Sequence, residues 1–258
     1  DRAELLSYLP LSHVFGRLYD LCYAMATRAT VNFAESTDTV VSDLQEIQPT
    51  YFPAPPRNWE KMSAGAQIRM AHASALKRVV YGAALKAGMW NADRILQQGN
   101  RGFVGNVVHG AAWLVAYRSL QKKMGMSLCR QAVSGSAPIA PDVLKFFMAV
   151  GVPIVEGWGM TETTAMGTVN LLGREKLGTI GEPLPGCEIE IAADGEILTR
   201  HPGVFKGYFR DPQATSEAID ADGWLHTGDV GEWDGSHVRI IDRKKDIIIR
   251  GGQNRPDR

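Results

Sequence analysis

The spacing of apolar and polar positions changes along the chain, and each change predicts a different kind of structure. Up to about residue 60, short apolar runs alternate with turn signals such as the proline-rich stretch at 53–56, which a helix interior would not accept. This part predicts strands and loops around one helix near residues 17–27. From Trp59 to about Leu96, good helix formers dominate and apolar side chains recur at helical spacing, which predicts a long helical stretch.

A helix followed by a short strand is predicted between residues 140 and 156. Pro141 in the first turn and Asp142 at the positive end of the helix dipole favour helix initiation, and Gly151 ends the helix. The strand at 153–156 then leads into a glycine-rich loop. This order is typical of α/β proteins, in which ligands bind at the carboxyl ends of strands.

Beyond about Lys176 the pattern becomes a period-two alternation, which predicts antiparallel hairpins. The turns of two hairpins are expected at Asp194-Gly195 and at Asp234-Gly235. An α/β layer is therefore followed by a small antiparallel β module. The pattern therefore predicts an α/β part over 1–175 and an antiparallel β subdomain over 176–242.

Composition excludes several classes of protein. Apolar residues make up 45% and charged residues 22% of the chain, which argues against disorder. Lys plus Arg equals Asp plus Glu, 28 against 28, so no net field attracts nucleic acid. Three widely spaced cysteines suggest neither a disulfide framework nor a zinc site, and no apolar run approaches the roughly 20 residues that span a bilayer. We expect a cytoplasmic protein.

The segment GWGMTETT, which begins at Gly157, combines several groups that suit a magnesium nucleotide. Gly157 and Gly159 allow close backbone approach, and Trp158 offers a stacking face. The hydroxyl of Thr161 would bind phosphate, and the carboxylate of Glu162 would hold a hard cation. The alternative is a strand-to-helix turn capped by Thr161.

Four weaker candidates each have a structural alternative. In LHTGD, Asp229 would bind the two hydroxyls of a ribose, or form an Asx turn. In DRKKD, Arg243 would reach phosphate or ribose, or belong to a solvated connector. The small-residue stretch beginning at Ser134 would let a base lie against backbone, or form a plain loop. His13 would line a substrate pocket, or be a hydrogen-bonded core histidine.

The order and spacing of these segments resemble the adenylate-forming superfamily of acyl-CoA synthetases, luciferases and peptide-synthetase adenylation domains. The resemblance covers nearly the whole chain and is most specific in the combination of GWGMTETT with DGWLHTGD. Four stretches look most like bacterial long-chain fatty acyl-CoA synthetases: YLPLSHVFGR (8–17), PPRNWEKM (55–62), SGSAPIAP (134–141) and DRKKDIII (242–249).

The resemblance implies a partial large adenylation domain, built of αβα layers and followed by a small antiparallel β-barrel-like subdomain. It also implies a hinge with the start of a further domain over 243–258, and a two-step reaction. ATP and a fatty carboxylate would give acyl-AMP and pyrophosphate, and the thiol of coenzyme A would then displace AMP. Implied partners are a fatty acid, ATP, Mg²⁺ and CoA, without nucleic acid. Peripheral membrane association and a homodimer are left open.

By position, Thr161 would contact phosphate, Glu162 would bind Mg²⁺, and His13 would lie near the acyl carboxylate. Lys245 would be the pivot about which a C-terminal domain swings between the two half-reactions. Adenine and ribose would be held by the remaining candidates, which are Gly135, Ser136, Ala137, Pro138, Gly157, Trp158, Gly159, Asp229 and Arg243.

The chain also departs from the family pattern. The phosphate loop that the family carries upstream, and the C-terminal domain with its adenylation lysine, are not among the 258 residues. We therefore expect this chain alone to be a poor enzyme. Trp158 stands where the family more often has Tyr. Two alternatives remain: a fatty acyl-AMP ligase that delivers to a carrier protein, and a non-catalytic adenylate- or lipid-binding module.

Overall fold

The chain forms two compact units. A computed structural model describes residues 2–244, 247–250 and 253–256. The first unit comprises residues 1–156 and 171–177, and the second comprises residues 157–170 and 178–258. Because these units are defined by spatial contacts, the three-part division predicted above stays a prediction.

A parallel sheet forms the centre of the first unit. Its strands in the described residues are β1 (Glu4–Ser7), β2 (Thr30–Phe33), β3 (Tyr51–Ala54), β4 (Gln131–Ser134) and β5 (Ile154–Trp158), the last of which continues into the second unit. Their order is β2-β1-β3-β4-β5, and every neighbouring pair is parallel.

Helices fill the connections between these strands. They are α1 (Val14–Gly16), a π-helical segment (Arg17–Tyr23), α2 (Ala24–Thr27), α3 (Val40–Ile47), α4 (Pro56–Ala71), α5 (Ala75–Gln98), α6 (Gly102–Ala112), a second π-helical segment (Trp113–Tyr117), α7 (Arg118–Met124) and α8 (Pro141–Ala149). Proline occupies the first turn of α4 and α8, and Gly99 in the left-handed conformation (φ 73°) ends α5.

The strand order reverses direction at β1, and this reversal determines where the helices lie. The chain first moves outward from β1 to β2 and then crosses back to β3, β4 and β5. Because such crossovers are right-handed, α1 and α2 cover one face of the sheet, whereas α3 to α8 cover the other. The predicted αβα layering follows, with a ligand crevice expected at the carboxyl ends of the strands.

Aromatic side chains make up much of the core of the first unit. Phe52, Trp59 and Phe147 are fully buried, with ring centroids 5.4 Å apart in both edge-to-face pairs. The indole N–H of Trp59 donates to the carbonyl of Ala54 at 3.1 Å, so its one polar group is satisfied. This contact fixes the start of α4 against the end of β3.

The second unit is mainly antiparallel. Its elements are a 3₁₀ turn (Thr161–Thr163), β6 (Thr168–Val169), β7 (Glu182–Pro183), β8 (Glu188–Ile191), β9 (Glu196–Arg200), α9 (Pro212–Ala218), β10 (Leu225–Asp234), β11 (His237–Arg243), β12 (Ile247–Arg250) and β13 (Gln253–Pro256). Strands β11-β10-β9-β8 form one sheet, and β12 pairs with β13. Trp158, Ile180, Ile197 and Val238 form the core.

The predicted elements are largely confirmed. The helix at Pro141 and both hairpins are present where the pattern predicts them. The sequence reading missed α3, although Val40 and Leu44 are buried at helical spacing and Gln48 ends the helix in the left-handed conformation. In the described part of the chain, no helix is long and apolar enough to cross a membrane.

Candidate functional site

The structure joins three of the predicted site residues at the carboxylate of Asp229, which is only 6% exposed. The indole Nε1 of Trp158 donates to Oδ2 at 2.8 Å, and Nε of Arg243 donates to Oδ1 at 3.0 Å. Asp229 faces Arg243 in the register of β10 and β11. Trp158 and Arg243, which are 71 and 14 positions from Asp229 in the sequence, thus bond to the same carboxylate.

Trp158 also belongs to the core of the second unit. The residue is 8% exposed, and a Cβ on Gly167 would lie 2.6 Å from its six-membered ring. Its hydrogen bond to Asp229 therefore comes from a ring held on a closely packed surface. A phenolic group is lost relative to the family's usual Tyr, but the indole N–H supplies a hydrogen bond of its own. Stacking on adenine stays a prediction.

Asp229 is not an Asx turn. Both carboxylate oxygens bond to distant side chains, and its own backbone N–H donates to Oγ1 of Thr227 at 3.1 Å. The hydroxyl of Thr227 donates in turn to the carbonyl of Ile197 at 2.7 Å. The register between β10 and β9 shifts between His226 and Val230, so the intervening residues have no pairing partner on β9. Asp229 nevertheless stays paired with Arg243 on β11, and its carboxylate bonds to Trp158 and Arg243.

The first three residues of the charged run DRKKD lie in a strand or form ion pairs. Asp242 and Arg243 lie in β11, and the Arg243 side chain stays 70% exposed while its Nε holds Asp229. Lys244 follows and is bonded to Asp194 and to Glu196. Arg243 and Lys244 are thus exposed, as the alternative of a solvated connector expects, but they are not a plain connector, because strand pairing and ion pairs hold them. Lys245, the predicted pivot, lies outside the described residues.

The segment after Trp158 is held by a loop that the sequence reading did not identify. The Glu162 carbonyl accepts from the backbone of Phe205 at 2.7 Å, and its Oε1 accepts from the Tyr208 hydroxyl at 2.9 Å. Thr161 is exposed. The alternative of a strand-to-helix turn capped by Thr161 is correct in the turn but wrong in the cap. A 3₁₀ helix begins at Thr161, its N-cap is Met160, and the backbone N–H of Met160 donates to the hydroxyl of Thr163.

Glu162 is compatible with the magnesium role that the resemblance implies. It is half-buried, and among the described residues only Oε1 of its carboxylate has a hydrogen-bond donor. Across those same residues, no three His, Cys, Asp or Glu side chains cluster to hold a metal ion. A single carboxylate is nevertheless a usual protein contribution when Mg²⁺ is bound mainly by water and substrate phosphates. The role of Glu162 stays a prediction.

The small-residue loop lies at the carboxyl end of β4. Gly135 is buried, whereas Ser136, Ala137 and Pro138 are exposed, and Ser136 adopts the left-handed conformation with φ 72°. Exposed small residues at a strand end agree with a surface on which a base lies. The loop belongs to the first unit, so its convergence with Asp229 around one nucleotide stays a prediction.

Glu156 is a buried acid that the sequence reading missed. It lies in β5, is 7% exposed, and stands beside Ser134 in the register of β4. Its Oε1 accepts from the backbone of Ile139 at 3.4 Å, whereas Oε2 and the Ser134 hydroxyl have no partner among the described residues. Burial raises the pKa of Glu156 to about 7. The sequence could have indicated Glu156 as a candidate, since an acidic residue inside an apolar strand is uncommon.

His13 is neither buried nor part of a core. It is exposed and precedes α1, where its Nδ1 accepts from the backbone N–H of Phe15 at 3.2 Å. The alternative of a hydrogen-bonded core histidine is therefore wrong, because this residue caps a helix. Its proximity to an acyl carboxylate stays a prediction.

Comparison with known proteins identifies the family. The model for the AMP-binding enzyme family matches residues 1–209, which is most of the chain. The chain belongs to the AMP-binding enzyme family. This match includes Trp158 and Glu162 and ends before Asp229 and Arg243.

Curated relatives of this chain are named as fatty-acid–CoA ligases. A putative fatty-acid–CoA ligase, fadD11, of Mycobacterium tuberculosis is 37% identical over 258 residues, covering 97% of this chain and 44% of the relative. Long-chain-fatty-acid–CoA ligase FadD15 of Mycobacterium bovis is 36% identical over 253 residues, covering 97% and 41%. The chain thus spans less than half the length of these relatives.

Solved structures share the fold. O-succinylbenzoate coenzyme A synthetase from Bacillus subtilis, in complex with ATP and magnesium ion, matches with a TM-score of 0.64 and 24% identity over 98% of this chain and 44% of its own. A Mycobacterium tuberculosis fatty acyl CoA synthetase matches with a TM-score of 0.63 and 22% identity, covering 98% and 42%. These matches confirm the α/β fold with an antiparallel module of adenylate-forming enzymes.

Proposed function

We propose that the intact protein is an AMP-forming long-chain fatty acid–CoA ligase. It would join a fatty carboxylate to the α-phosphate of ATP, release pyrophosphate, and then transfer the acyl group to the thiol of CoA. The relatives' names support the substrate class. The observation that carries the proposal within this chain is the Asp229 carboxylate, buried and held between Trp158 and Arg243.

This carboxylate suits the two hydroxyls of a ribose. An ionised carboxylate has about four lone-pair sites, and Trp158 and Arg243 occupy two of them. Two acceptor sites are left for two hydroxyl donors. Arg243 uses only Nε towards Asp229, and its exposed side chain leaves its remaining N–H groups for ribose or phosphate oxygens.

The other predicted contacts complete the nucleotide site in the proposal. Residues 135–138 with Gly157, Trp158 and Gly159 would hold adenine, and the exposed hydroxyl of Thr161 would contact phosphate. The fold itself requires glycine at position 159, because a Cβ there would lie 2.4 Å from the backbone of Ala165.

The chemistry is mainly a matter of handling charge. As the fatty carboxylate attacks, negative charge grows on the α-phosphate, and fixed donors stabilise it. Glu162 would hold Mg²⁺, which when bound neutralises phosphate charge. Tyr208 orients the Glu162 carboxylate through its hydroxyl. His13 would lie near the acyl carboxylate, and Lys245 would serve as the pivot between the two half-reactions.

Two mainly apolar cavities in the first unit, both of which also have Arg69 and Lys123 in their lining, suit a long acyl chain with a charged head group. One of about 400 Å³ lies among α4, α5 and α7 and is lined by Met70, Val80 and Leu120. The other, of about 510 Å³, is lined by Leu44, Phe52 and other side chains. Their sizes are in the range of small-molecule pockets, and their lining supports a substrate with a long apolar part.

Pyrophosphate exchange tests the proposal. The intact protein should exchange labelled pyrophosphate into ATP only when a long-chain fatty acid and Mg²⁺ are present, and should then form acyl-CoA. The absence of exchange under these conditions would refute it. Exchange followed by transfer to a carrier protein but not to CoA would favour the acyl-AMP ligase. Tight AMP binding without exchange would favour the non-catalytic module.

A further inference from the structure

Glu196 is a buried acid to which neither the resemblance nor the family match assigns a role. It begins β9 directly after the Asp194-Gly195 turn and is 4% exposed. A buried carboxylate is costly unless charged or hydrogen-bonding partners surround it. The partners of Glu196 are found in the two segments that flank Asp229 and Arg243.

The first of these partners is the backbone of Gly228. The register between β9 and β10 shifts here, so Gly228 has no pairing partner on β9. Its N–H donates instead to Oε1 of Glu196 at 2.8 Å, and its carbonyl accepts from the backbone N–H of Lys244 at 2.8 Å. Both backbone groups of the residue before Asp229 are thus fixed, one by Glu196 and the other by the residue after Arg243.

The second partner is the side chain of Lys244. Its Nζ lies 2.9 Å from Oε2 of Glu196 and 2.7 Å from Oδ2 of Asp194. His226 adds a ring nitrogen, Nδ1, at 3.1 Å from the same Glu196 oxygen. Burial raises the pKa of Glu196, but hydrogen bonds from Lys244, His226 and Gly228 outweigh that effect and leave the pKa below its ordinary value. The carboxylate is therefore held as an anion.

These contacts close a ring around the ribose-binding pair of the proposed function. Glu196 bonds Gly228, Gly228 is followed by Asp229, Asp229 bonds Arg243, and Arg243 is followed by Lys244, which returns to Glu196. Each of these five residues is thus bonded or adjacent in sequence to two other members of the ring. We propose that Glu196 is a positioning residue that holds Asp229 and Arg243 in the geometry that binds the ribose of the adenylate; this inference rests on the proposed function.

A substitution that removes the charge of Glu196 distinguishes a role in positioning the ribose-binding residues from a role in folding stability alone. Glu196→Gln keeps an acceptor for the Gly228 N–H but removes the charge that faces Lys244. We expect the affinity of the intact protein for AMP to fall about tenfold, as misplacement of a charged contact of this kind implies. Calorimetry with AMP measures this directly and needs no turnover.

Matched variants sharpen the test. Glu188→Gln removes an ion pair with Arg200 in the same sheet (Oε2 to Nη2, 2.8 Å), away from the ring, and should leave AMP affinity unchanged. Lys244→Met should lower the affinity for AMP as much as Glu196→Gln does, and the double variant should bind AMP no more weakly than the weaker of the two single variants. Lys244→Arg, which keeps the positive charge, should retain most of the affinity. Lys244 is half exposed, so its variants keep the proposal testable even where a Glu196 variant fails to fold.

Three results would overturn the inference. They are AMP affinity in Glu196→Gln equal to that of the wild type, additive losses in the double variant, or a loss of affinity fully explained by a lower fraction of folded protein. A wild type that binds AMP but lacks fatty-acid-dependent exchange would refute the proposed function while the AMP comparison still decides the role of Glu196. A wild type that binds no AMP would refute both.

Discussion

Replacing Glu156 by Gln measures what a buried ionised carboxyl costs the parallel sheet. Glu156 lies in the interior of β5 with one carboxylate oxygen bonded weakly to the Ile139 backbone and the other without a partner among the described residues. The Gln amide keeps the acceptor for Ile139 and has no charge to bury. The change therefore removes ionisation while it preserves shape.

The magnitude follows from the pKa. Burial raises the pKa of Glu156 from 4.5 to about 7, and one pKa unit is worth about 1.4 kcal/mol, so ionisation in the folded state costs about 3 kcal/mol at high pH. The folded chain binds this proton more readily than the unfolded chain between pH 4.5 and pH 7. Stability therefore falls as the pH rises through this window, and the full cost is present above it.

Comparison at two pH values isolates this effect. Between pH 5.5 and pH 8.5, the stability of Glu156→Gln relative to wild type should increase by about 2 kcal/mol, because only the wild type pays for ionisation. A fixed cost of the buried amide cancels, since it is the same at both pH values. Hydrogen exchange of peptides containing β4 and β5 in the intact, nucleotide-free protein measures the difference.

A control and a refuting result complete this experiment. Glu46→Gln replaces an exposed carboxylate on α3 and should show no such pH-dependent difference. A Glu156→Gln variant whose stability differs from wild type by the same amount at pH 5.5 and pH 8.5 would refute the reasoning, because the carboxyl would then have no unusual proton affinity.

Two further predictions concern the second unit. Trp158→Phe keeps an aromatic face but removes the N–H that is donated to Asp229, so the affinity for AMP should fall about tenfold. The affinity for 2′,3′-dideoxy-AMP, which lacks the ribose hydroxyls, should change little. Calorimetry that shows equal losses for both ligands would contradict this prediction. Gly181→Ala would place a Cβ 2.0 Å from the Val169 backbone at φ +88°, so the yield of soluble protein should collapse. Gly178→Ala is the control, because Gly178 has a similar φ but open space around it, and this variant should lower the melting temperature only slightly. Equal behaviour of the two variants would contradict the packing argument.

Local patterns predicted most of the elements. Pro141 and Gly151 delimit α8 because one supplies a helical φ and the other the left-handed conformation. The turns at Asp194-Gly195 and Asp234-Gly235 set the two hairpins because glycine accepts the positive φ that such turns need. These features depend on a few neighbouring residues, so sequence spacing is sufficient to find them.

The candidate site was predictable only in part. Asp229 and Arg243 were identified by motif, but their contact with each other depends on strand register, which no local pattern specifies. Glu196 was read merely as the return strand of a hairpin, since its role appears only when Gly228 and Lys244 are brought to it. Residues that act through partners distant in sequence are therefore the ones that sequence reasoning misses.

The most direct test of the account is a crystal structure of the intact protein with a non-hydrolysable acyl-AMP analogue. Both ribose hydroxyls should lie within hydrogen-bond distance of the Asp229 carboxylate, with Arg243 beside the ribose and Glu162 near the phosphate. A nucleotide bound elsewhere, with Asp229 contacted only by Trp158 and Arg243, would contradict it.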